Sequence, residues 1–365
     1  MNHTDSVDRI CILGHEYAKE VVGNLPVVFR QRYGADSFMG VVADFLCEWF
    51  SPTPCLQVHT SGSTGTPKSM WVEKQRMVSS ARLTVSFLGL KAGDTALLAM
   101  PLRYIAGKMV VVRAWVAGLD LWPVTPCGHP LASLAESPVF AALTPMQVYN
   151  TLQVPTEAER LRQVRQLIIG GGAIDASLAD ALRDFPHAVW SSYGMTETLS
   201  HIALRRLNGP DASDWYTPFA QVSLDLSAEG TLVIDAPLVS PKRLVTNDIA
   251  EFNAHGQFRI MGRRDNTINT GGVKVQIEQV EEALRPHLSF PFLISSVPDP
   301  KFGERVVMLA ASAVTLFSPE IVAAFSPLPP FWCPTQLIQV AHIPLTGTGK
   351  PDRAAARRLA RGLKG

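Results

Sequence analysis

The sequence predicts an α/β protein. It has a large N-terminal domain of mostly parallel sheet flanked by helices, with a β-hairpin subdomain, followed by a small α+β C-terminal domain. Three observations predict it. From about residue 70 to 190, helical and strand-like stretches alternate, as they do where helices cover a parallel sheet. Between about 220 and 262, apolar and polar residues alternate singly around Glu-Gly and His-Gly pairs, the pattern of hairpins. After "GRRDN" a charged, mixed segment takes over, so the boundary is set at Asp265, giving domains 1–264 and 265–365.

Taken in order, residues 1–50 read as helical, with the amphipathic run "SFMGVVADFLCEWF" stopped by "SPTP". "KQRMVSSARLTVSFLGL" reads as helix, "DTALLAM" as strand, "VVVRAWVAG" as helix and "LDLWPV" as strand. "VRQLIIGGG" and "HAVWSSYG" are strands on either side of the helix "DASLADALRDF". "QVSLDLSAEGTLVIDAP" and "DIAEFNAHGQFRIMG" are the hairpins, and the C-terminal segment runs from "VQIEQVEEALRPH" through "VVMLAASAV" to a basic tail. In such a sheet, ligands bind at the carboxyl ends of the strands.

With 365 residues, 47% hydrophobic and 18% charged, the chain is an ordinary globular protein with a large core. A net charge of +1 gives no argument for nucleic acid or an anionic membrane as main partner, and neither is expected. The five cysteines are scattered, without a C-x-x-C pair or a His cluster at metal spacing, and read as reduced cytoplasmic thiols. Charges interrupt the N-terminus before a signal core forms, and Arg113 breaks the most apolar stretch, so neither secretion nor membrane insertion is expected.

The stretch "HTSGSTGTPKS" nearly spells a Walker A loop, except that Pro67 stands where the second glycine belongs. Proline lacks an amide hydrogen and cannot take a left-handed φ, which argues against a P-loop NTPase. Thr60, Ser61, Gly62, Ser63, Thr64, Gly65, Thr66 and Lys68 can still wrap phosphates with amides, hydroxyls and one ammonium. The same run also reads as a Ser/Gly turn. Gly170, Gly171, Gly172 and Ala173 follow a strand and let a flat ring approach the backbone, or simply make a tight turn. "SSYGMTET" offers Tyr193 for stacking, then Gly194, Met195, Thr196, and Glu197 as an oxygen ligand for Mg²⁺. Asp248 in "TND" can take ribose hydroxyls, though alone it reads equally as a turn aspartate. Lys350 in "PLTGTGKPDR" sits on a glycine-flexed loop, either a cation brought to a site or an exposed lysine.

In this order and at these separations the stretches resemble the acyl-adenylate-forming superfamily of acyl- and aryl-CoA ligases, adenylation domains and luciferases, over residues 58–353. "SYGMTETLSHIALRRLNG" and "PLRYIAGKMVVVRA" look most like o-succinylbenzoate-CoA ligases of menaquinone biosynthesis. The resemblance implies an adenylate-forming fold, ATP, Mg²⁺ and CoA as cofactor and co-substrates, and a carboxylic acid as substrate. It gives Thr60–Lys68 the triphosphate, Thr64 and Glu197 places near Mg²⁺, and Gly170–Ala173 with Tyr193 the adenine. Asp248 would hold the ribose, Arg263 would assist at the nucleotide, Asp265 would be the hinge of a mobile small domain, and Lys350 would be the adenylation lysine. Gly271 and Gly272 would line the CoA passage, while Arg103, Lys108, Arg113, Thr198, Ser200 and His201 are the acyl-substrate candidates, Arg103 and Lys108 because they flank a glycine-containing loop, though either reads equally as a solvated surface charge.

Three departures accompany the likeness. Only about 58 residues precede the loop, so part of the usual N-terminal sheet is expected to be absent. The common "TGD" is "TND", and the usual aromatic or histidine gate is replaced around Arg103 and Tyr104. Family members are often dimers, but no interface signature is visible. The alternatives are a ligase for another aryl or fatty acid, or a nucleotide-binding homologue without turnover.

Overall fold

A computed structural model describes residues 8–59, 69–172, 174, 176–346 and 350–362. The described chain forms two compact units, one from 8–59, 69–223 and 235–243, the other from 224–234, 244–346 and 350–362.

The first unit opens with strands β1 (Arg9–Ile12) and β2 (His15–Ala18), where the sequence had suggested helix. Leu13 and Gly14 turn with φ of 51° and 76°, the two positive values that a tight hairpin requires. Ile10 and Ile12 point inward from β1, a period of two too short to register in a helical window. Helices α1 (Leu25–Tyr33) and α2 (Phe38–Phe50) follow, and Ser37 caps α2 by accepting the Gly40 amide. Strands β3 (Cys55–His59) and β4 (Ser69–Glu73) pair antiparallel with His59 opposite Ser69. The phosphate-loop residues Thr60, Ser61, Gly62, Ser63, Thr64, Gly65, Thr66 and Lys68 lie outside the described residues, as does Ala173.

Next come α3 (Lys74–Leu88), β5 (Thr95–Leu98), α4 (Ile105–Ala117) and β6 (Asp120–Pro123). Glycines 89 and 118 end the two helices in the left-handed region. Strand β7 (Phe140–Leu143) and helix α5 (Pro145–Leu152) were not legible; β7 is buried throughout and shows no alternation. Helix α5 begins with a capping box of Thr144 and Gln147. The unit is completed by α6 (Pro155–Arg162), β8 (Gln166–Ile169), α7 (Ala176–Leu182), β9 (Ala188–Gly194), β10 (His201–Arg206) and β11 (Thr217–Pro218).

Nine strands form one sheet in the order β11-β10-β9-β8-β7-β5-β6-β1-β2. From β9 to β1 every neighbouring pair is parallel, and only the flanking strands run antiparallel. Helices on both faces require apolar strands, and β7 is buried at all four positions. Helix α4 is buried at eight consecutive residues, Gly107 to Ala114, and so belongs to the interior rather than to a face.

The second unit carries an antiparallel sheet of β12 (Ser223–Leu226), β13 (Thr231–Asp235), β14 (Leu244–Phe252) and β15 (Phe258–Arg263), in that spatial order. Gly230 and Gly256 make the expected turns at φ of 74° and 73°. A 3-10 turn at Arg264–Asn266 leads into β16 (Thr267–Thr270), β17 (Val273–Gln276) and α8 (Ile277–Leu284). Then follow β18 (Phe292–Asp299), β19 (Gly303–Ala310), α9 (Pro319–Phe325), β20 (Gln336–Gln339) and α10 (Arg353–Ala360). Strands β17-β16-β19-β18 form a second sheet, to which β20 adds in parallel beside β19. Its core gathers Ile268, Val275, Val280, Leu284, Ile294, Met308 and Ile321. The boundary expected at Asp265 falls inside this unit, in the turn that joins its two sheets. Among the described residues no helix is long and apolar enough to cross a membrane, and the five cysteines are free.

Candidate active site

In the first unit the candidate residues gather at the carboxyl ends of β8 and β9, as a parallel sheet dictates. Beyond β8, Gly171 takes φ 81°, and a Cβ at Gly170 would collide with Ser192 Oγ, which donates to the Ile169 carbonyl. Strand β9 delivers Tyr193, half-buried, with its ring 6.0 Å from that of Tyr216. Gly194 has no room for a side chain, because a Cβ there would overlap the Ser200 carbonyl and lie 2.5 Å from His201 Cα. Thr196 and the exposed Glu197 stand on the 3-10 turn that follows.

Thr198 closes that turn. Its buried hydroxyl accepts the Met195 amide at 3.0 Å and lies 2.7 Å from the Ser200 carbonyl, so it is taken up locally and is not offered to an acid as expected. Leu199 completes the reversal at φ 66°, a strained conformation for leucine, and brings Ser200 and His201 inward.

There they meet Arg113, which projects from α4 and is 2% exposed. Arg113 donates to Ser200 Oγ at 2.6 Å, Ser200 Oγ lies 3.3 Å from His201 Nδ1, and His201 Nε2 lies 2.9 Å from Thr84 Oγ1. Thr84 donates onward to the Ser80 carbonyl, which fixes the remaining protons: Nε2–H of His201 donates to Thr84, and Ser200 donates to Nδ1. The Arg113 Nε is buried without a hydrogen-bond partner, and no carboxylate among the described residues pairs with this guanidinium. Burial pushes its pKa down to about 9, so it remains a cation at neutral pH. Burial, with Arg113 in second place, holds His201 well below the usual histidine value, so the ring is neutral.

The unfolded chain binds a proton at His201 below about pH 6.5 and the folded chain does not, so this residue lowers stability as pH falls through that value. His201→Asn is therefore expected to flatten the acid side of a melting-temperature profile between about pH 7.5 and 5. Equal slopes in the two proteins would contradict a neutral His201.

The other two basic candidates go elsewhere. Lys108 does not flank a loop: it lies within α4 and is buried, its ammonium 3.1 Å from Glu48 Oε2 and 4.6 Å from the Phe45 ring centroid. The glycine that suggested a loop, Gly107, is there because a Cβ would press within 2.8 Å of the carbonyls of Met100 and Pro101. Arg103 is exposed and stacks on Tyr104 at 4.8 Å. Thr84 was not legible as a site residue, since nothing distinguishes it from other hydroxyls on an amphipathic helix.

In the second unit, the register sets Asp248 on β14 opposite Arg263 on β15, and Arg263 donates to Asp248 Oδ1 at 3.2 Å. Asp248 is in mid-strand, not at a hairpin start. The rest of the Arg263 fork holds Asp265 through two bonds of 2.9 Å, which keeps the Asp265 carboxyl below its ordinary range. Lys350 is half-buried, and burial together with the Arg263 charge pushes its pKa down. The unit thus brings Asp248, Arg263, Asp265 and Lys350 together. Gly271 and Gly272 turn β16 into β17 at φ 57° and 84°, with Phe302 and Phe331 beside Gly271.

Among the described residues no group of three or more His, Cys, Asp or Glu side chains could hold a metal. Exposed Glu197 fits a Mg²⁺ that takes most of its oxygen ligands from phosphates and water.

Glycine-lined carboxyl ends of a parallel sheet are the usual place for a nucleotide in an α/β enzyme, and likeness to known proteins gives the class, AMP-forming. The AMP-binding enzyme family matches residues 45–226. An acyl-CoA synthetase (AMP-forming)/AMP-acid ligase II-like protein from Dyadobacter fermentans is 30% identical, with 88% of this chain and 93% of that chain covered and a TM-score of 0.62. The chain belongs to the AMP-binding enzyme family.

The 2-succinylbenzoate–CoA ligase of Salmonella typhimurium is 28% identical over 271 residues, 70% of this chain and 57% of that protein, so the match spans little more than half of the relative. The o-succinylbenzoate coenzyme A synthetase of Bacillus subtilis, solved with ATP and magnesium ion, is 18% identical with a TM-score of 0.67, covering 82% of this chain and 68% of that one. At that identity the likeness is one of fold.

Proposed function

We propose that the protein is an ATP-dependent acid–CoA ligase for an aromatic acid with a second carboxylate, in first place o-succinylbenzoate. The observation that carries this reading is Arg113, buried and charged with no carboxylate partner among the described residues. A lone buried cation is costly unless an anion neutralises it. A diacid supplies that anion once its first carboxylate is at the reacting centre, with Ser200 and His201 as neutral neighbours. A fatty or simple aryl acid leaves the cation uncompensated, so those substrates rank second.

In the acyl-AMP step the substrate carboxylate attacks the α-phosphorus of ATP in line, a new O–P bond forms, and pyrophosphate leaves. Negative charge gathers on the phosphate oxygens, so fixed donors decide the rate. The residues assigned to it are the Thr60–Lys68 segment for the triphosphate, Tyr193 and Gly170–Ala173 for adenine, Asp248 and Arg263 for the ribose side, and Lys350 for the reacting phosphate. Mg²⁺, held by Glu197 and Thr64, would neutralise phosphate charge. In the second step the CoA thiolate attacks the acyl carbon and AMP leaves, with Gly271 and Gly272 giving passage. Lys350 and the thiol serve successive steps on one acyl group, which is the reason to assign Asp265 as a hinge. Its fork with Arg263 must break or turn when the hinge moves. A ligase that consumes ATP and CoA fits a cytoplasmic setting.

The test is acid-dependent exchange of pyrophosphate into ATP, run with o-succinylbenzoate and with an analogue lacking one carboxylate, followed by mass spectrometry of the CoA thioester. The diacid should support exchange and the monoacid should be at least about tenfold poorer. Equal rates for the two acids would remove Arg113 from the substrate site, and with it this reading.

A further inference from the structure

We propose that Arg353 and Glu281 are a positioning pair that holds Lys350 in place for acyl-AMP formation. The inference rests on the reading of Lys350 as the cation of that step. Lys350 lies between the Pro344–Thr346 segment and the start of α10, so its location depends on what anchors the chain on either side.

Upstream and downstream the loop is stitched into a stem. The Thr346 amide donates to the Lys350 carbonyl at 2.7 Å, the Lys350 amide to Thr346 Oγ1 at 3.2 Å, and the Asp352 amide to the Pro344 carbonyl at 2.9 Å. Leu345 and Pro351 pair across that stem. A stem alone can still swing as a body.

What stops it is α10, which starts three residues after Lys350. Asp352 caps the helix by accepting the Ala355 amide, and Arg353, its first residue, extends a two-pronged bond to Glu281 of α8, at 2.5 Å to Oε1 and 2.8 Å to Oε2. Glu281 is 4% exposed and also accepts the Ile294 amide of β18 at 2.8 Å. One buried carboxylate therefore ties α8, β18 and the start of α10. Three residues span at most about 10 Å, so the Lys350 backbone is confined to a small volume around a fixed point. The hydrogen bonds of Arg353 and Glu281 among the described residues run to each other and to Ile294, away from Asp248 and Arg263. Their effect is exerted through Lys350.

The experiment compares Arg353→Lys, Glu281→Gln and the double variant Glu281→Gln/Arg353→Met in the full chain. Lysine keeps the charge but cannot make the fork. The double variant removes the ion pair without stranding a buried charge. Three readouts are taken: melting temperature, the two half-reactions, and the pH midpoint of Lys350 acetylation by acetic anhydride, followed by mass spectrometry.

The expected result is pyrophosphate exchange down about 10- to 100-fold in all three variants, including the double variant with recovered stability, as for a catalytic group displaced by about 1 Å. Thioester formation from supplied acyl adenylate should stay within about twofold, and the acetylation midpoint should move up towards that of ordinary lysine, about 10.4. Parallel loss in both half-reactions, full exchange activity in the double variant, or an unmoved acetylation midpoint would overturn the proposal. The acetylation readout needs no substrate. A shifted midpoint in a protein that exchanges no pyrophosphate would uphold the positioning pair and defeat the proposed activity instead.

Discussion

Arg113→Met is expected to make the protein more stable and less able to use a diacid. The guanidinium is buried, and among the described residues its Nε has no partner and no carboxylate compensates it, so its removal relieves a desolvation cost. Replacing buried charge by a hydrophobe of similar volume is neutral or stabilising by about 1–4 kcal/mol, from which the lost bond to Ser200 subtracts about 1 kcal/mol. A melting temperature raised by a few degrees is the outcome to look for. The same change deletes the partner of the second carboxylate. Losing one side of a desolvated charge pair costs about 2–5 kcal/mol, so kcat/KM for the diacid should fall by about 10²- to 10³-fold. The monoacid analogue should be little affected. If melting temperature and activity fell together, Arg113 would be a structural residue and the assignment of the second carboxylate would be lost with it.

Lys350→Ala is the second large effect. Removal of one preorganised contact to developing charge costs about 10²- to 10³-fold, and that loss should appear in pyrophosphate exchange. Conversion of supplied acyl adenylate to thioester should stay within a few-fold, since the lysine serves only the first step. The pH dependence has a definite sign. The lysine must be charged, and burial with Arg263 lowers its pKa, so exchange should decline on the alkaline side at a pH below the ordinary lysine value. That decline should vanish from the residual activity of Lys350→Ala. An alanine variant that slows both half-reactions equally would contradict the assignment.

Much of the fold was legible from apolar runs bounded by breakers. Helices α2, α3, α4 and α7 and strands β5, β6, β8 and β9 fall where apolar spacing and breakers set them. The short strands β1, β2 and β7 did not: β2, one tight turn after β1, is exposed at three of its four residues and carries no apolar pattern, and β7 is buried throughout and shows no alternation. The sites divide in the same way. Arg113 could be picked out as a charge inside an apolar run, which is why its burial gives it meaning. The interplay of Arg263 with Asp248 could not, since it depends on a register that shifts between Ile249 and Ala250. Lys108 was placed beside a loop because of the glycine next to it, when that glycine serves close packing inside α4.

The tight corner at Gly194 has a consequence for how this enzyme can change. Residue 194 ends the strand whose Tyr193 is assigned to the nucleotide in the proposed function, and the backbone it touches belongs to Ser200 and His201, assigned there to the acid. The two halves of the catalytic floor are a single weld. Selection for new acids should therefore leave positions 194 to 201 alone and accumulate on the helical wall that carries residue 113, where a side chain can be exchanged without moving main chain.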